Sequence, residues 1–312
     1  MTALLVANDG GHLMQLHALA PRLPIAKDRL WVTPRTEQSV SLLKDEEVFW
    51  VHRAPTRDAA AVARNAFAVR RLLRERTFTS AVSTGSSLAL SALPQARLHG
   101  IPTYYIESAT RVAGPSMSGR ILQAVPGIRL ICQYPEWTSR NWHYGGSVFD
   151  GFEAQQGATA RKPPRRIVVS LGTSEKYGFR RLLERMAAIL PPNCDVLWQT
   201  GFTDTSGLGL RTTPSIPAAE FHRSLSAADV VVAHAGTGIA LTALTAGKLP
   251  VLVPREGQRG EHVDDHQEQI AHALNERGLA VVRHVEQLCA ADLVHAAAHD
   301  VHRSAHPPDF RW

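Results

Sequence analysis

Residues 229–267, DVVVAHAGTGIALTALTAGKLPVLVPREGQRGEHVDDHQ, decide how the fold of this chain is read. Val230 to Ala233 form a continuous apolar run bounded by turn-prone residues, the pattern of a strand buried on both faces of a parallel sheet. The turn His234-Ala235-Gly236-Thr237-Gly238 follows. A helix-permissive segment from Ile239 to Ala246 then stops at Gly247, before a second buried run from Val251 to Val253. Glycines let backbone N–H groups approach an anion at the positive end of a helix, so Gly236, Thr237 and Gly238 read as a diphosphate cradle. A packing turn that needs small residues explains the same glycines without a ligand. Downstream, a polar loop from Arg255 to Glu261 leads into Glu261-His262-Val263-Asp264-Asp265-His266-Gln267, expected to form the first turns of a helix. Polar side chains there would lie just past a parallel strand's C-terminal edge, where open α/β sheets bind ligands.

Outward from this stretch, 312 residues suggest two α/β domains of about 150 residues each. The expected division is a first domain over 1–152, a linker over 153–166 (EAQQGATARKPPRR, polar with paired prolines) and a second domain over 167–312. The region after Asp292 is helix-permissive up to Pro307. A hydrophobic content of 44% suits a globular protein. No apolar run approaches the ~20 residues that span a bilayer, and Met1 to Ala20 contains Asp9, His12 and His17, which argues against a signal peptide. A cytoplasmic protein is expected. Three cysteines without CxxC spacing indicate neither a disulfide framework nor a thiolate zinc site. The net charge of +6 implies anionic partners. With no nucleic-acid-binding signature, a membrane surface or a diphosphate fits better than DNA or RNA.

In the first half, Thr2 to Ala7 reads as a strand and Asn8-Asp9-Gly10-Gly11-His12 as the turn into a helix. The positive helix end favours neutral His12, leaving a ring nitrogen able to accept a proton. Ala59 to Arg76 is a basic amphipathic helix, with Val62, Phe67, Val69, Leu72 and Leu73 on its apolar positions and arginines elsewhere; it suits either solvent or an anionic lipid surface. Thr84 to Ser87 caps a helix that Pro94 is expected to bend or end. Thr103 to Ile106 is a strand ending at Glu107, a carboxylate placed to meet a ligand or to pair with Arg111 at i+4. In the second half, Ile167 to Leu171 is a strand followed by Gly172-Thr173-Ser174.

Several separated motifs now converge. HAGTG, then GK, a strand ending in VP, and DDHQ resemble the donor-binding half of family 28 GT-B glycosyltransferases. GGH after the first strand resembles the amino-terminal half of the same family. YIESATRV (Tyr105 to Val112) and QYPEW (Gln133 to Trp137) resemble the acceptor-side subunit of the two-subunit dolichol-diphosphate-GlcNAc N-acetylglucosaminyltransferase and its bacterial exopolysaccharide relatives. The chain thus resembles a fusion of the two subunits. The resemblance implies an α/β fold of GT-B type, two Rossmann-like domains with parallel sheets facing a central cleft, and a last helix packing back on the first domain. It implies an inverting, metal-independent transfer from a UDP-sugar, with no cofactor, to a lipid-linked or small-molecule hydroxyl acceptor, at the inner face of a membrane. The residues it singles out on the donor side are Gly172, Thr173, His234, Gly236, Thr237, Gly238, Thr242, Arg255, Glu261, Asp265, His266 and Gln267. On the acceptor side they are Gly10, Gly11, Ser108 and Arg111, with His12 and Glu107 as candidate bases. One departure stands out: Gly238 to Lys248 contains no carboxylate for the ribose hydroxyls, and Thr242 takes that place by spacing.

Other readings stay open on the residues. A sugar-nucleotide epimerase shares the fold, and a nucleotide-sugar-binding subunit without catalysis accommodates the missing carboxylate. A dinucleotide dehydrogenase is disfavoured because Leu241 replaces the third glycine of its fingerprint. His262 and His266 at i and i+4, beside Asp264 and Asp265, have zinc-like spacing but no cysteine partner. Arg255 and Arg259, on the loop expected to pass the donor hexose, could clamp a sugar carboxylate or could be phosphate ligands or solvated charges.

Overall fold

The computed structural model describes residues 1–54, 58–157, 163–172, 177–261 and 266–312. The chain divides into two compact units, Met1–Asp150 with Pro308–Trp312, and Gly151–Pro307. The first runs β1 (Thr2–Val6), α1 (Gly11–Leu19), β2 (Asp28–Pro34), α2 (Glu37–Leu42), β3 (Glu47–Val51), α3 (Ala59–Glu75), β4 (Phe78–Ser83), α4 (Ser87–Leu98), β5 (Thr103–Ile106), α5 (Met117–Gln123), β6 (Ile128–Cys132) and β7 (Trp142–Tyr144). Among the described residues these strands form one parallel sheet in the order β3-β2-β1-β4-β5-β6-β7. Leu4, Val6, Leu30, Val32 and Ala81 from its centre pack with Val69 and Leu72 of α3 and with Leu88, Ala92 and Leu93 of α4. The strand order reverses between β1 and β4, and a reversal leaves a crevice at the strands' C-terminal ends.

The second unit contains β8 (Phe152–Gln156), β9 (Arg166–Ser170), α6 (Arg180–Ile189), β10 (Asp195–Gln199), β11 (Thr212–Thr213), α7 (Ala218–Ala227), β12 (Val230–His234), α8 (Thr237–Thr245), β13 (Val251–Val253), α9 (His266–Glu276), β14 (Val281–Val282), α10 (Ala290–Ala297) and β15 (His299–Arg303). Its parallel sheet runs β11-β10-β9-β12-β13-β14, with the reversal between β9 and β12. Ala233 and Val251 to Val253 are fully buried, as a strand covered on both faces requires.

Four expectations are corrected. Pro94 does not end α4: the helix continues to Leu98, because Leu93 and Ala96 are fully buried and tertiary packing outweighs the lost N–H bond. Phe67 is not on the apolar face of α3 but 73% exposed, while Ala61, Asn65, Val69, Leu72 and Leu73 turn inward. The segment expected to start the linker, Glu153 to Gln156, belongs to β8, which pairs antiparallel with β15. The carboxy-terminal region is not one helix packing back: α10 stops at Ala297, β15 follows, and the returning piece is the tail Pro308–Trp312. In that tail Phe310 is buried and its N–H donates to the Arg22 carbonyl (3.0 Å), while Trp312 stacks on Tyr104 at 4.2 Å. Two aromatic rings offer an apolar surface that a five-residue segment can bury without helical periodicity.

Candidate active site

In the first unit the reversal point brings the turn after β1 against the turn after β4. Gly10 has φ 82° and ψ −142°, a conformation that suits only glycine, and its N–H donates to Gln38 Oε1 at 2.6 Å. The turn is tied to α4 by Asn8, whose Oδ1 accepts the Leu88 N–H at 3.2 Å. Gly11 opens α1 and His12 is its second residue. The His12 Nδ1 lies 2.8 Å from the Thr84 carbonyl oxygen, and the Thr84 hydroxyl donates back to the His12 carbonyl at 2.8 Å. A carbonyl can only accept, so Nδ1 carries the proton and Nε2 is left with its lone pair. Among the described residues Nε2 has no hydrogen-bond partner. Burial lowers the His12 pKa; the Thr84 contact raises it, the Arg111 charge lowers it further and Asp9 opposes, leaving a neutral ring. Gly85, at φ 115°, allows the close approach on the other side. A Cβ there would stand 3.2 Å from His12 Cε1 and 3.1 Å from the Tyr105 hydroxyl.

Glu107, the other candidate base, is held in a fully hydrogen-bonded setting. It is 1% exposed, and its carboxylate accepts from the Tyr105 hydroxyl (3.1 Å), the Ser108 N–H (3.0 Å), the Ser116 N–H (2.8 Å) and the Ser116 hydroxyl (2.9 Å). Burial raises its pKa, and the Ser116, Ser108 and Tyr105 hydrogen bonds oppose that rise. With four donors aimed at it, Glu107 closes the loop between β5 and α5. Ser108 is likewise buried, its hydroxyl accepting from Gln15 Nε2 at 3.0 Å. Gln133 completes the support, donating to the Glu107 carbonyl (3.0 Å) and accepting the Val148 N–H (2.7 Å). The IES and QYPE motifs are thus joined as a scaffold beneath the crevice. Arg111 sits higher, where its charge reaches both His12 and Tyr105. For Glu107→Gln the expected result is a stability loss of about 1–3 kcal/mol, because an amide NH₂ must face N–H and O–H donors. Urea denaturation checks it, and unchanged stability with abolished turnover would return Glu107 to the role of base.

In the second unit the reversal point brings Gly172, after β9, to His234, the last residue of β12. Gly172 has φ 73°, and a Cβ there would come within 2.7 Å of His234 Cε1. A Cβ on Gly236 would meet His234 Nε2 at 2.5 Å. The imidazole is therefore held between two glycines, and both are needed for its presence. Its Nδ1 lies 3.4 Å from the Ser170 carbonyl. Gly236 caps α8, Thr237 is its buried first residue and Gly238 its second. No acidic side chain stands in the first turn of α8, so its positive end is uncompensated from within the helix.

The remaining donor-side residues separate. The Thr242 hydroxyl donates to the Gly238 carbonyl at 2.7 Å, an i−4 bond that spends its proton within the helix. Arg255 is 3% exposed: one terminal nitrogen donates to the Leu171 carbonyl (2.8 Å), its Cζ lies 5.6 Å from the Phe179 ring centroid, and its N–H donates to Gln267 Oε1 (3.2 Å). Burial pulls this guanidinium down to about 10, with the Glu261 charge opposing. Gln267 is buried in making that contact. Glu261 is not helical and pairs with Arg181; α9 is described from His266, and residues 262–265 of the expected first turns lie outside the described residues. Arg259 pairs with Glu256 (2.8 Å) and Glu286 (3.5 Å). The carboxylate clamp read from Arg255 and Arg259 is corrected: one arginine is buried beneath the loop and the other is neutralised by two glutamates. Thr173 and Asp265 lie outside the described residues, as do His262 and Asp264 of the zinc alternative.

Residues 167–296 match the model of the glycosyltransferase family 28 C-terminal domain. The second unit thus carries a glycosyltransferase family 28 C-terminal domain, and the chain as a whole is similar to GT-B glycosyltransferases of that family. A relative from Parasynechococcus marenigrum, named UDP-N-acetylglucosamine--N-acetylmuramyl-(pentapeptide) pyrophosphoryl-undecaprenol N-acetylglucosamine transferase, is 27% identical over 322 aligned positions, covering 91% of this chain and 84% of its own. MurG from Acinetobacter baumannii has a similar fold, with a TM-score of 0.56 at 20% identity over 94% of this chain and 89% of that one. UDP-N-acetylglucosamine 2-epimerase from Rickettsia bellii does too, with a TM-score of 0.57 at 14% identity over 95% and 93%. Fold alone does not separate these chemistries. In this chain, Thr84, Gln15, Tyr105, Ser116, Phe179 and Arg181 are the site-supporting residues that sequence reasoning missed. Thr84 holds the ring through its backbone carbonyl, which any residue type would present, and meets the His12 backbone, 72 positions away, with its hydroxyl. Arg181 meets carboxylates 75 to 105 positions away, which no local pattern reveals.

Proposed function

We propose that the chain transfers a sugar from a UDP-sugar to a hydroxyl of a lipid-linked acceptor by a single inverting displacement that needs no metal. The observation that carries this is His12: a neutral imidazole with Nδ1–H fixed on the Thr84 carbonyl and Nε2 available as base. Nε2 takes the proton of the acceptor hydroxyl as its oxygen bonds to the anomeric carbon. The bond from that carbon to the diphosphate oxygen breaks on the opposite face, and UDP leaves with the electron pair. The turn Gly236-Thr237-Gly238 at the start of α8 stabilises the departing charge through backbone N–H groups and the helix dipole. The UDP-N-acetylglucosamine in the relative's name supports a nucleotide-sugar donor, and its undecaprenol acceptor supports a lipid-linked one. Mass spectrometry of products from a UDP-sugar panel with lipid extract tests the proposal. A glycosylated lipid supports it; an epimerised or free nucleotide sugar without glycosylated product selects the epimerase reading, and UDP binding without any turnover selects the non-catalytic subunit.

A lipid acceptor calls for contact with a membrane surface, although no helix among the described residues is long and apolar enough to cross one. On α3, Arg64, Arg70, Arg71 and Arg74 stand at i−3, i+3, i+4 and i+7 from exposed Phe67, so one solvent-facing stripe combines four cations with an aromatic ring. Phe67→Ser is expected to lower co-sedimentation with anionic vesicles several-fold and to leave UDP affinity unchanged. Equal sedimentation of both proteins would remove α3 as the contact.

A further inference from the structure

Resting on the donor reading above, we infer that Arg181 is a positioning residue for the donor half: its guanidinium fork ties Glu256 and Glu261, on the segment after β13, to the start of α6. Arg181 is the second residue of α6, eleven positions after β9 ends at Ser170. Its Nε and one terminal nitrogen each donate to a Glu261 oxygen at 3.1 Å, a bidentate pair. The same terminal nitrogen donates to Glu256 Oε1 at 2.8 Å, and the other to Glu286 Oε1 at 2.5 Å. One cation thus holds three carboxylates.

The loop closes through these same groups. Glu261 Oε2 accepts the Glu256 N–H at 3.0 Å, the Glu261 N–H donates to the Glu256 carbonyl at 3.3 Å, and the Arg259 N–H donates to it at 3.1 Å. Glu261 is almost buried, its side chain 11% exposed, and Glu256 is 30% exposed. Without Arg181 these two carboxylates would face each other in a partly desolvated place, with Arg259 on Glu256 and the Arg255 charge near Glu261 as the remaining described cations, and the closed loop would be less favourable. Burial works against the charge of Arg181, but its hydrogen bonds to Glu261 and Glu256 prevail and hold it firmly protonated.

A second, separate tie runs in the same direction. Arg255, at the start of this loop, reaches the Leu171 carbonyl and covers Phe179. Leu171 immediately precedes Gly172, which packs on His234. Residues 255–261, Leu171–Gly172 and the His234 turn are therefore linked by contacts at the reversal point between β9 and β12. Moving the loop displaces the backbone on which the donor's diphosphate is held. A lysine offers a point charge and cannot span two carboxylates with a planar fork.

The experiment compares wild type, Arg181→Gln and Arg181→Lys by UDP calorimetry, steady-state kinetics and amide hydrogen exchange. The expected result for Arg181→Gln is a tenfold or greater rise in UDP Kd and donor KM. Acceptor KM and the pH profile of kcat are expected to stay within twofold, and exchange at Arg259, Gly260 and Glu261 to become at least tenfold faster while the amides of β12 keep their protection. Arg181→Lys should recover only part of the affinity. Unchanged UDP Kd in a folded Arg181→Gln protein, or equal rises in donor and acceptor KM, overturns the assignment. If wild type itself takes up no UDP, the donor reading fails, and the exchange measurement decides the tie alone: unaltered exchange in the variant overturns it.

Discussion

His12→Ala is expected to lower turnover by ~10² to 10⁴ while leaving UDP affinity unchanged, because a general base acts in the transition state and not on the bound nucleotide. His12→Gln should fail as badly, since an amide can keep a hydrogen bond but cannot accept a proton. The pH profile gives an independent check. Burial holds the folded His12 below the ordinary histidine value of about 6.5. The base is then unprotonated at neutral pH, and kcat should be flat above about pH 6.5 and fall only as pH drops through the lowered value. The same shift enters stability with a definite sign. Above about pH 6.5 both folded and unfolded imidazoles are neutral and His12 adds no pH dependence. As pH falls below it the unfolded state takes up a proton that the folded state resists, so stability declines toward the folded pKa. Full activity in His12→Ala would place the base elsewhere.

Gly236→Val is expected to weaken UDP binding more than tenfold, about 1.4 kcal/mol or more. The backbone is not the obstacle, since Gly236 has φ −95°, a value any residue adopts. The obstacle is the His234 ring, 2.5 Å from where the Cβ would stand. The same Cε1–Nε2 edge of the ring is the part that lies against Gly172, where a built Cβ would stand 2.7 Å from Cε1. Either the imidazole leaves its place between the glycines or the start of α8 moves outward, and each displaces the N–H groups that would meet the diphosphate. Calorimetry on a variant with wild-type circular dichroism checks the result; unchanged affinity would take the cradle out of the mechanism.

The sequence by itself determined the elements that carry the chemistry. Apolar runs such as 230–233 and 251–253, punctuated by glycine, specify buried parallel strands, and the residues after them had to be turns at strand ends. That logic located Gly10, His12, Gly172, His234 and Gly236, because backbone conformation and helix polarity are local properties. What it could not determine was the function of side chains whose partners are distant in the chain. Glu107 at a strand end looks like a base until Ser116 and Tyr105 are seen to use its oxygens. Arg255 and Arg259 look like ligand clamps until Glu256, Glu286 and the Leu171 carbonyl are placed beside them. Phe67 reads as apolar by residue type, yet the rotation of α3 about its axis is set by Val69, Leu72 and Leu73 packing against the sheet. The tertiary structure decided these cases for one physical reason: whether a charged or aromatic group is free to act depends on which groups satisfy or cover it, and those partners are brought together by the order of strands in each sheet.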